Sequence, residues 1–448
     1  MAARGPSFSI RRGRIGDPRV SLELRRAGRC AQLYRRHLPH TAVPGPMNRR
    51  SVLGALASCT LTGVVGCLGE VGFGAAESTP TPVVNREVPP GDDGGETIPQ
   101  FQGAPEHTGR VDATGPTDSV TTFWRRTPYR YDHSQPVVVG ERVYVSFTGN
   151  LIQLDRSTGE RRWLTDVGHD GASTPAVYDG TVYVTVWNGG ADVDRGLAAL
   201  DTESGAVEWR GVTDADVTTA PAVTVDGVFV GGGHETTTVA AFAHDGTERW
   251  RHDLGEYAST PAVADSTAIY GAGTARVVAY DAVSGERQWQ FDTDGDVTAA
   301  PTVADGRVVV GTRAGALYAL DVEDGSEDWT VDLPGPVRQS VAVADDRIVA
   351  PTERGLVTVD TGGSVQWTAD AVSGATAPVI AGDGVYVGDE RTVRSLSLTD
   401  GTEWWSFETR ERTYTDVVLG GIRAAPTVTD GIVIVATQAG DVYALGEA

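Results

Sequence analysis

Short runs of β-branched, aromatic and small apolar residues alternate with polar turns along most of the chain. In the clearest stretch, three such runs occupy residues 300–306, 308–312 and 316–321, and a fourth surrounds Trp329. Asp-Gly and Ser/Thr-Gly pairs separate the runs, as they do in turns between antiparallel strands. The runs Val-Tyr-Val and Val-Val-Val favour strands, and no stretch shows the 3.6-residue periodicity of an amphipathic helix. The pattern therefore predicts four-stranded antiparallel units and excludes a helical repeat.

Tryptophan marks the length of this unit. Its recurrences lie 39, 46, 41, 39, 40, 38 and 37 positions apart, at Trp124, Trp163, Trp209, Trp250, Trp289, Trp329, Trp367 and Trp404. A period of about 40 residues with four strands per repeat is typical of a propeller blade. We expect each of these indoles to pack against the neighbouring blade, whereas Trp187 and Trp405 fall outside the period.

The two ends of the repeat region complement each other. The region begins with a single strand around Trp124 and ends with three strands that lack their own Trp. Pairing the first strand with the last three closes the ring and leaves no open seam. We therefore predict an all-β fold over residues 100–448, an eight-bladed β-propeller of four-stranded antiparallel blades.

The residues before the repeats have the features of an export signal. We interpret residues 1–46, which are rich in Arg, as an unstructured segment or an extension of the gene model. Residues 47–66 begin with Arg49 and Arg50, continue with about 16 mildly apolar residues, and end before Cys67. An Arg pair, a short apolar run and a small residue before Cys are typical of a twin-arginine lipoprotein signal. We predict export through the Arg pair and lipidation at Cys67.

Residues 67–99 are dominated by Gly, Glu, Ser, Thr and Pro. They carry too few apolar side chains to offset the entropy lost on ordering. We therefore predict a flexible spacer between the membrane and the propeller.

Charge excludes one class of partner. The chain has 37 basic residues, all of them Arg, and 60 acidic residues, for a net charge of −23. Residues 1–66 hold twelve Arg and two acidic residues, which leaves −33 for the remainder. A field of this sign repels phosphate backbones, so we expect no nucleic-acid partner.

The turn and Trp segments at residues 154–163, 200–209 and 280–289 resemble the tryptophan-docking motif of the pyrroloquinoline-quinone (PQQ) propeller repeat family. Residues 101–109 are similar to the stretch that precedes many such propellers. The family contains quinoprotein dehydrogenases, in which PQQ and Ca²⁺ sit over the channel. It also contains non-catalytic scaffolds such as the BamB-like envelope lipoproteins.

Departures from the dehydrogenase pattern separate these two kinds. Many of the dehydrogenases stack the quinone on a vicinal Cys pair, whereas Cys67 is the only Cys after the signal segment. The repeats also have near-minimal spacing, without the insertions that build a substrate pocket. The lipoprotein signal matches the BamB-like kind. The absence of Lys and the abundance of Asp resemble proteins of salt-loving archaea.

The resemblance implies a monomeric scaffold that is not an enzyme and needs no cofactor. We expect it to be lipid-anchored on the extracytoplasmic face of the membrane and to bind envelope or membrane proteins. Two alternatives stay open. One is a PQQ-dependent dehydrogenase that also holds Ca²⁺, and the other is a binding module for a small extracellular ligand.

Motifs for other chemistry are missing. There is no P-loop, no His-Glu-x-x-His and no Gly-x-Ser-x-Gly. Asp292, Asp294 and Asp296 begin like a Ca²⁺ loop, but the twelfth position is Val303 in place of the required Glu. We therefore predict neither a catalytic residue nor a metal site.

Strand order isolates one end of the propeller as a candidate binding rim. If the Pro-containing strand of each unit is innermost, the connectors between blades share one end with the second-to-third turns. These connectors carry His133, His169, Asp170, Asp216, Glu256, Tyr257, Asp296, Arg338, Gln339 and Arg423. The mixture suits a polar small molecule or a peptide loop, and the alternative is a solvated rim whose charges keep the protein soluble.

Overall fold

Eight antiparallel sheets surround a common axis in the computed structural model, which describes residues 82–89, 97–127, 134–168, 171–187, 195–233, 236–372, 374–414 and 417–448. The described residues all belong to one compact unit, Glu77–Ala448. Each sheet contains a four-stranded antiparallel blade, which a short extra strand extends in three of the sheets, so the predicted eight-bladed propeller is confirmed. Over these ranges, no helix is long and apolar enough to cross a membrane.

Three strands precede the first complete blade: β1 (Val83–Val84), β2 (Arg110–Val111) and β3 (Val120–Arg126). Blade 1 contains β4 (Val137–Val139), β5 (Arg142–Phe147), β6 (Asn150–Asp155) and β7 (Arg161–Asp166). Blade 2 contains β8 (Gly171–Ala172), β9 (Ala176–Tyr178), β10 (Thr181–Trp187), β11 (Gly196–Asp201) and β12 (Val207–Gly211). Blade 3 contains β13 (Ala222–Thr224), β14 (Gly227–Val230), β15 (Thr238–Phe242) and β16 (Glu248–Asp253). Blade 4 contains β17 (Ala262–Ala264), β18 (Thr267–Ala272), β19 (Arg276–Asp281) and β20 (Arg287–Asp292).

The second half of the ring repeats the pattern. Blade 5 contains β21 (Thr302–Ala304), β22 (Arg307–Gly311), β23 (Ala316–Asp321) and β24 (Glu327–Asp332). Blade 6 contains β25 (Ala342–Ala344), β26 (Arg347–Thr352), β27 (Gly355–Asp360) and β28 (Val365–Ala369). Blade 7 contains β29 (Val379–Ala381), β30 (Gly384–Asp389), β31 (Thr392–Ser397) and β32 (Glu403–Glu408), followed by a hairpin of β33 (Arg412–Tyr414) and β34 (Val417–Leu419). Blade 8 contains β35 (Thr427–Thr429), β36 (Ile432–Ala436) and β37 (Val442–Glu447), completed by β3.

The first strand of each blade lines the central channel. First strands of neighbouring blades approach one another around the axis, as β13, β17, β21 and β25 do, while the fourth strands lie outside. The second and third strands are almost wholly buried, because Val, Leu, Ala and Tyr on both of their faces fill the space between blades. We call the end that bears the turns after the first and third strands the bottom, and the opposite end the top.

The ring is closed by the strand that precedes blade 1. Strand β3 pairs antiparallel with β37, from Val120 opposite Glu447 to Arg126 opposite Val442, and becomes the outer strand of blade 8. This confirms the predicted closure. At the bottom of the seam, the fully buried Arg156 of blade 1 donates Nη2–H to Asp430 Oδ2 of blade 8 at 2.9 Å.

Tryptophan indoles join consecutive blades through one repeated contact. The indole Nε1–H of Trp250 donates to the carbonyl of Ala282 at 3.0 Å, in the third turn of the next blade. Its ring lies on Gly285, where φ is +74° and a Cβ atom would come within 2.5 Å of the indole. Equivalent bonds are donated by Trp124, Trp163, Trp209, Trp289, Trp329 and Trp367.

The eighth indole in this series is Trp405, so the assignment of Trp404 to blade docking is wrong. Trp405 is 5% exposed and donates Nε1–H to the carbonyl of Pro116 at 2.7 Å. It stands opposite Ser395, the register position that Trp289 occupies opposite Ala279. A bulge in each outer strand fixes this register, and it places the docking indole four residues after the turn glycine.

Part of the predicted spacer is packed against the propeller. Strand β1 pairs with β3, with Val83 opposite Arg125 and Val84 opposite Trp124. Val88 and Ile98 are buried in the same core cluster. The flexible-spacer prediction is therefore wrong for residues 82–89 and 97–99, because these few apolar side chains pack where the average composition of the segment is polar. Residues 67–81 and 90–96 lie outside the described ranges.

Candidate binding faces

The bottom of the channel is filled by the chain's own residues 97–114, here called the axial segment. Ile98 pairs with Val138 in blade 1, and the segment then passes blades 2 to 7 in order. The inner-strand amides of blades 2, 4, 5, 6 and 7 donate to its carbonyls at 2.7–2.8 Å, in the pairs Val177 to Pro99, Val263 to Pro105, Val303 to Glu106, Val343 to Thr108 and Ile380 to Gly109. In blade 3 the amide of Val223 donates to the Gln100 side chain at 2.9 Å. Residues 101–109, which resemble the stretch preceding related propellers, thus form part of the channel floor.

Local sequence explains how so tight a path is possible. Gly109 has a φ of +63°, and a Cβ atom there would lie 2.8 Å from Ala342 Cβ and 2.9 Å from the carbonyl oxygen of Pro378. Only glycine meets both requirements without displacing the wall. Gln102 and His107 also adopt positive φ, 56° and 60°, which is unfavourable for residues with a Cβ atom.

His107 is the buried titratable group of the axial segment. Its Nδ1 lies 3.2 Å from the carbonyl oxygen of Pro301, and its ring packs edge-on against Phe101 at 5.1 Å. Its Nε2 and both side-chain polar atoms of Gln102 are buried without a hydrogen-bond partner. Burial lowers the pKa of His107 to about 4, although the Pro301 carbonyl acts in the opposite direction. The imidazole is therefore neutral near pH 7, with its proton on Nδ1 facing the carbonyl.

The residues of the predicted rim lie on connectors at the top. Asp216 joins blades 2 and 3, Glu256 and Tyr257 join blades 3 and 4, Asp296 joins blades 4 and 5, Arg338 and Gln339 join blades 5 and 6, and Arg423 joins blades 7 and 8. They share one end of the propeller, but those with described contacts bind different neighbouring residues and not one another. His133, His169 and Asp170, like the signal residues Arg49, Arg50 and Cys67, fall outside the described residues.

Charged members of the rim are paired with nearby residues. Glu256 forms an ion pair with Arg276, and Arg338 forms one with Glu353. The Asp216 carboxylate lies 3.7 Å from Arg195 Nη1. These pairs neutralise charge locally, so they oppose rather than create a concentrated field at the top.

The uncharged and backbone contacts of the rim are equally local. The Tyr257 hydroxyl donates to the carbonyl of Thr298 at 3.2 Å, and burial raises its pKa to about 12. The carbonyl of Asp296 accepts from the amide of Arg313 at 2.9 Å. Gln339 and Arg423 are exposed to solvent. The exposed part of the rim therefore includes these two side chains and the Arg338 pair.

Sequence reasoning placed the second-to-third turns at the top but named none of their residues as members of the rim. Arg276 and Glu353 come from such turns. In blade 8 the turn residue Asp441 is fully buried and accepts two hydrogen bonds at 2.6 Å from Arg410. The hairpin β33–β34 follows Arg410, and its Val418 is 58% exposed. The length of this connector was the available signal, since residues 409–426, between β32 and β35, outnumber those of any other connector in the described ranges.

The described residues do not assemble a site for PQQ and Ca²⁺. PQQ is a planar tricarboxylate, so it needs available cations, and Ca²⁺ needs several oxygen ligands. The half-buried Arg195 and Arg276 are already paired with carboxylates, and the channel floor is taken by the axial segment. No group of three or more His, Cys, Asp or Glu in the described ranges could hold a metal ion. We therefore derive no chemistry through this cofactor.

Eight four-stranded blades joined by docking tryptophans define a β-propeller of the PQQ-like repeat class. The family model of the outer membrane protein assembly factor BamB matches residues 107–235, 235–359 and 332–447. The chain belongs to this family. A comparison with curated proteins found no match.

Similar solved structures share the fold at low sequence identity. Quinohemoprotein alcohol dehydrogenase from Comamonas testosteroni is 16% identical with a TM-score of 0.66, over 79% of this chain and 81% of that one. BamB from Moraxella catarrhalis is 19% identical with a TM-score of 0.57, over 73% and 97%. The computationally designed Ika8 protein is 16% identical with a TM-score of 0.61, over 70% and 96%. At these identities the likeness shows the fold and no more.

Proposed function

We propose that the protein is a non-catalytic scaffold that binds envelope or membrane proteins at the top of its propeller. The observation that carries this proposal is the axial segment. Because the chain's own residues occupy the bottom of the channel, the top is the end at which a partner can reach the axis without displacing part of the chain. Membership of the BamB family supports a scaffold, and the lack of a fitting cofactor site among the described residues supports an absence of catalysis.

The test compares partner recovery from solubilised membranes for two double variants. Arg338→Ala with Arg423→Ala removes two guanidinium groups from the top, where Arg is well suited to bind carboxylates. Arg307→Ala with Arg347→Ala is the matched control, because these Arg residues form exposed ion pairs at the bottom. We expect the top variant to lose recovery at least tenfold while the bottom variant retains it. Equal recovery by both would refute the assignment of the top.

Enzyme activity would overturn the other half of the proposal. The experiment adds PQQ and Ca²⁺ to the purified full chain and measures dye-linked oxidation of alcohols and sugars. We expect no turnover above the protein-free control. Saturable oxidation that requires both additions would establish the dehydrogenase instead.

The proposed location is the extracytoplasmic face of the membrane, through a lipid on Cys67. Family membership supports this location, and the twin-arginine pattern in the sequence supplies the route. Cys67→Ser should move the protein from the membrane fraction to the soluble fraction, and Arg49→Lys with Arg50→Lys should block export. Mature protein that begins at another residue, or that carries no lipid by mass spectrometry, would contradict this assignment.

A further inference from the structure

The inner strands present a ring of backbone amides to the axis. One edge of each inner strand pairs with the second strand of its blade, and its other edge faces the channel with donors available for another chain. Seven equivalent residues bond to the axial segment, and they are Val138, Val177, Val223, Val263, Val303, Val343 and Ile380. All seven N–H···O distances lie between 2.7 and 3.0 Å. The amide ring therefore recognises its occupant through main-chain polar groups.

One contact shows that the ring can bind a side-chain amide as well as a main-chain amide. At Val223 the side chain of Gln100 takes the place of a peptide bond, accepting at Oε1 over 2.9 Å and donating from Nε2 to the carbonyl over 3.1 Å. Main-chain hydrogen bonds to unpaired strand edges are a recurrent source of affinity in peptide binding. The amide ring has the chemistry of such a site.

The bound conformation of the axial segment has unfavourable local contributions to its free energy. Gln102 and His107 occupy the left-handed region, and their polar atoms Oε1, Nε2 and Nε2 are buried without partners. Strained backbone and unsatisfied buried polar groups both raise the free energy of the bound state. The strands behind the amide ring are regular and paired, so the segment can leave at lower cost than a blade can open.

We propose that the amide ring is a binding site for a polypeptide segment that follows the ring from blade to blade, and that residues 97–114 are its resident ligand, replaceable by a second copy of the same segment. The ligand class follows from the contacts: a peptide whose turns direct carbonyls toward the wall, with a glycine where Gly109 meets Ala342 and Pro378. Replacement would open the bottom of the channel. This inference does not rest on the proposed function, because it concerns the opposite end of the propeller.

The principal experiment weakens the resident segment within the full chain. Gly109→Val places a side chain against the wall, whereas the control Gly255→Val carries a similar strain, with φ of +73°, but meets nothing within 4 Å. A fluorescein-labelled peptide of residues 97–114 is titrated into each protein and followed by anisotropy. We expect saturable binding to the Gly109→Val protein, at least tenfold tighter than to the wild type or the control. The same peptide carrying Val at position 109 should not bind.

A second measurement covers failure of that variant to fold. Hydrogen exchange in the wild-type full chain compares the amides of Val263, Val303 and Val343 with those of the neighbouring second strands. We expect the first group to exchange at least tenfold faster, because release of the axial segment exposes it without opening a blade. The proposal is overturned if both groups exchange together, or if a folded Gly109→Val protein does not bind the peptide.

Discussion

Acidification should destabilise the propeller through His107, and the substitution His107→Gln isolates this effect. The imidazole is fully buried. If Nε2 gained a proton, the new N–H group would have no hydrogen-bond acceptor. A glutamine side chain can still donate to the Pro301 carbonyl but does not titrate. The two proteins should therefore differ in how their stability depends on pH, whatever their difference near neutrality.

The magnitude follows from the pKa of His107, which burial lowers from 6.5 to about 4. Between these values the unfolded chain binds a proton that the folded chain does not, so the free energy of unfolding falls as the pH falls. Above pH 6.5 the group is neutral in both states, and its contribution is fully present. One pKa unit corresponds to about 1.4 kcal/mol, so about 3 kcal/mol is lost by the time the pH reaches the folded value.

The assay is urea unfolding of both proteins at about pH 7.5 and about pH 4, in constant molar salt. Other groups also contribute to the pH dependence. Burial raises the pKa of Glu106. Burial also acts to raise the pKa of Asp155, but hydrogen bonds from Ser157 lower it to about 2. These groups are common to both proteins, so they cancel in the difference. We expect the wild type to lose about 3 kcal/mol more than His107→Gln on acidification. Parallel pH dependences would refute the burial of a neutral imidazole at the axis.

Three further predictions concern the ring and its surface. Asp430→Asn should cost about 2 kcal/mol in urea unfolding, because the buried Arg156 then keeps only its longer ion pair, 3.9 Å from Nη1 to Glu141 Oε1, whereas Arg156→Met should cost less than about 1 kcal/mol; the reverse order would contradict the seam pair. Trp405→Phe should lower the free energy of unfolding by about 2 kcal/mol and Trp404→Phe by less than about 1 kcal/mol, and equal losses would contradict the corrected docking register. Stability should rise between about 0.1 M and about 3 M salt, because screening relieves repulsion within the acidic body, and a melting temperature independent of salt would contradict this.

The fold could be predicted because its signals are local and repeat. Each blade has its own turn pairs and its own Trp, so a weak pattern gains certainty through repetition. The same repetition contained the correct docking residue of blade 7. The interval from Gly285 to Trp289 is four residues, and the same interval from Gly401 leads to Trp405. Spacing between successive Trp residues concealed this, because it allows an error of one position where two Trp are adjacent.

The axial segment could not be predicted because no local pattern describes its path. Residues 97–114 lack strand periodicity, their turns are irregularly spaced, and their hydrogen-bond partners come from all eight blades. Glycine at position 109 is required only once Ala342 and Pro378 are in place. Likewise, the connectors of the rim followed from strand order, but the pairing of Glu256 with Arg276 depends on side-chain directions that strand order does not specify.

Closure of the ring joins the two ends of the propeller, and this constrains how the protein folds. Val120 pairs with Glu447, so the outer strand of blade 8 waits until almost the whole chain is available. Contacts between residues so distant in sequence carry a large cost in chain entropy and form late. Before closure, blades 1 to 7 can build on local hairpins and on indole contacts between successive blades. Blades 1 and 8 are then joined by the Arg156–Asp430 pair, by β3 and by the two ends of the axial segment. A perturbation of any one of these contacts should therefore lower the stability of the whole ring.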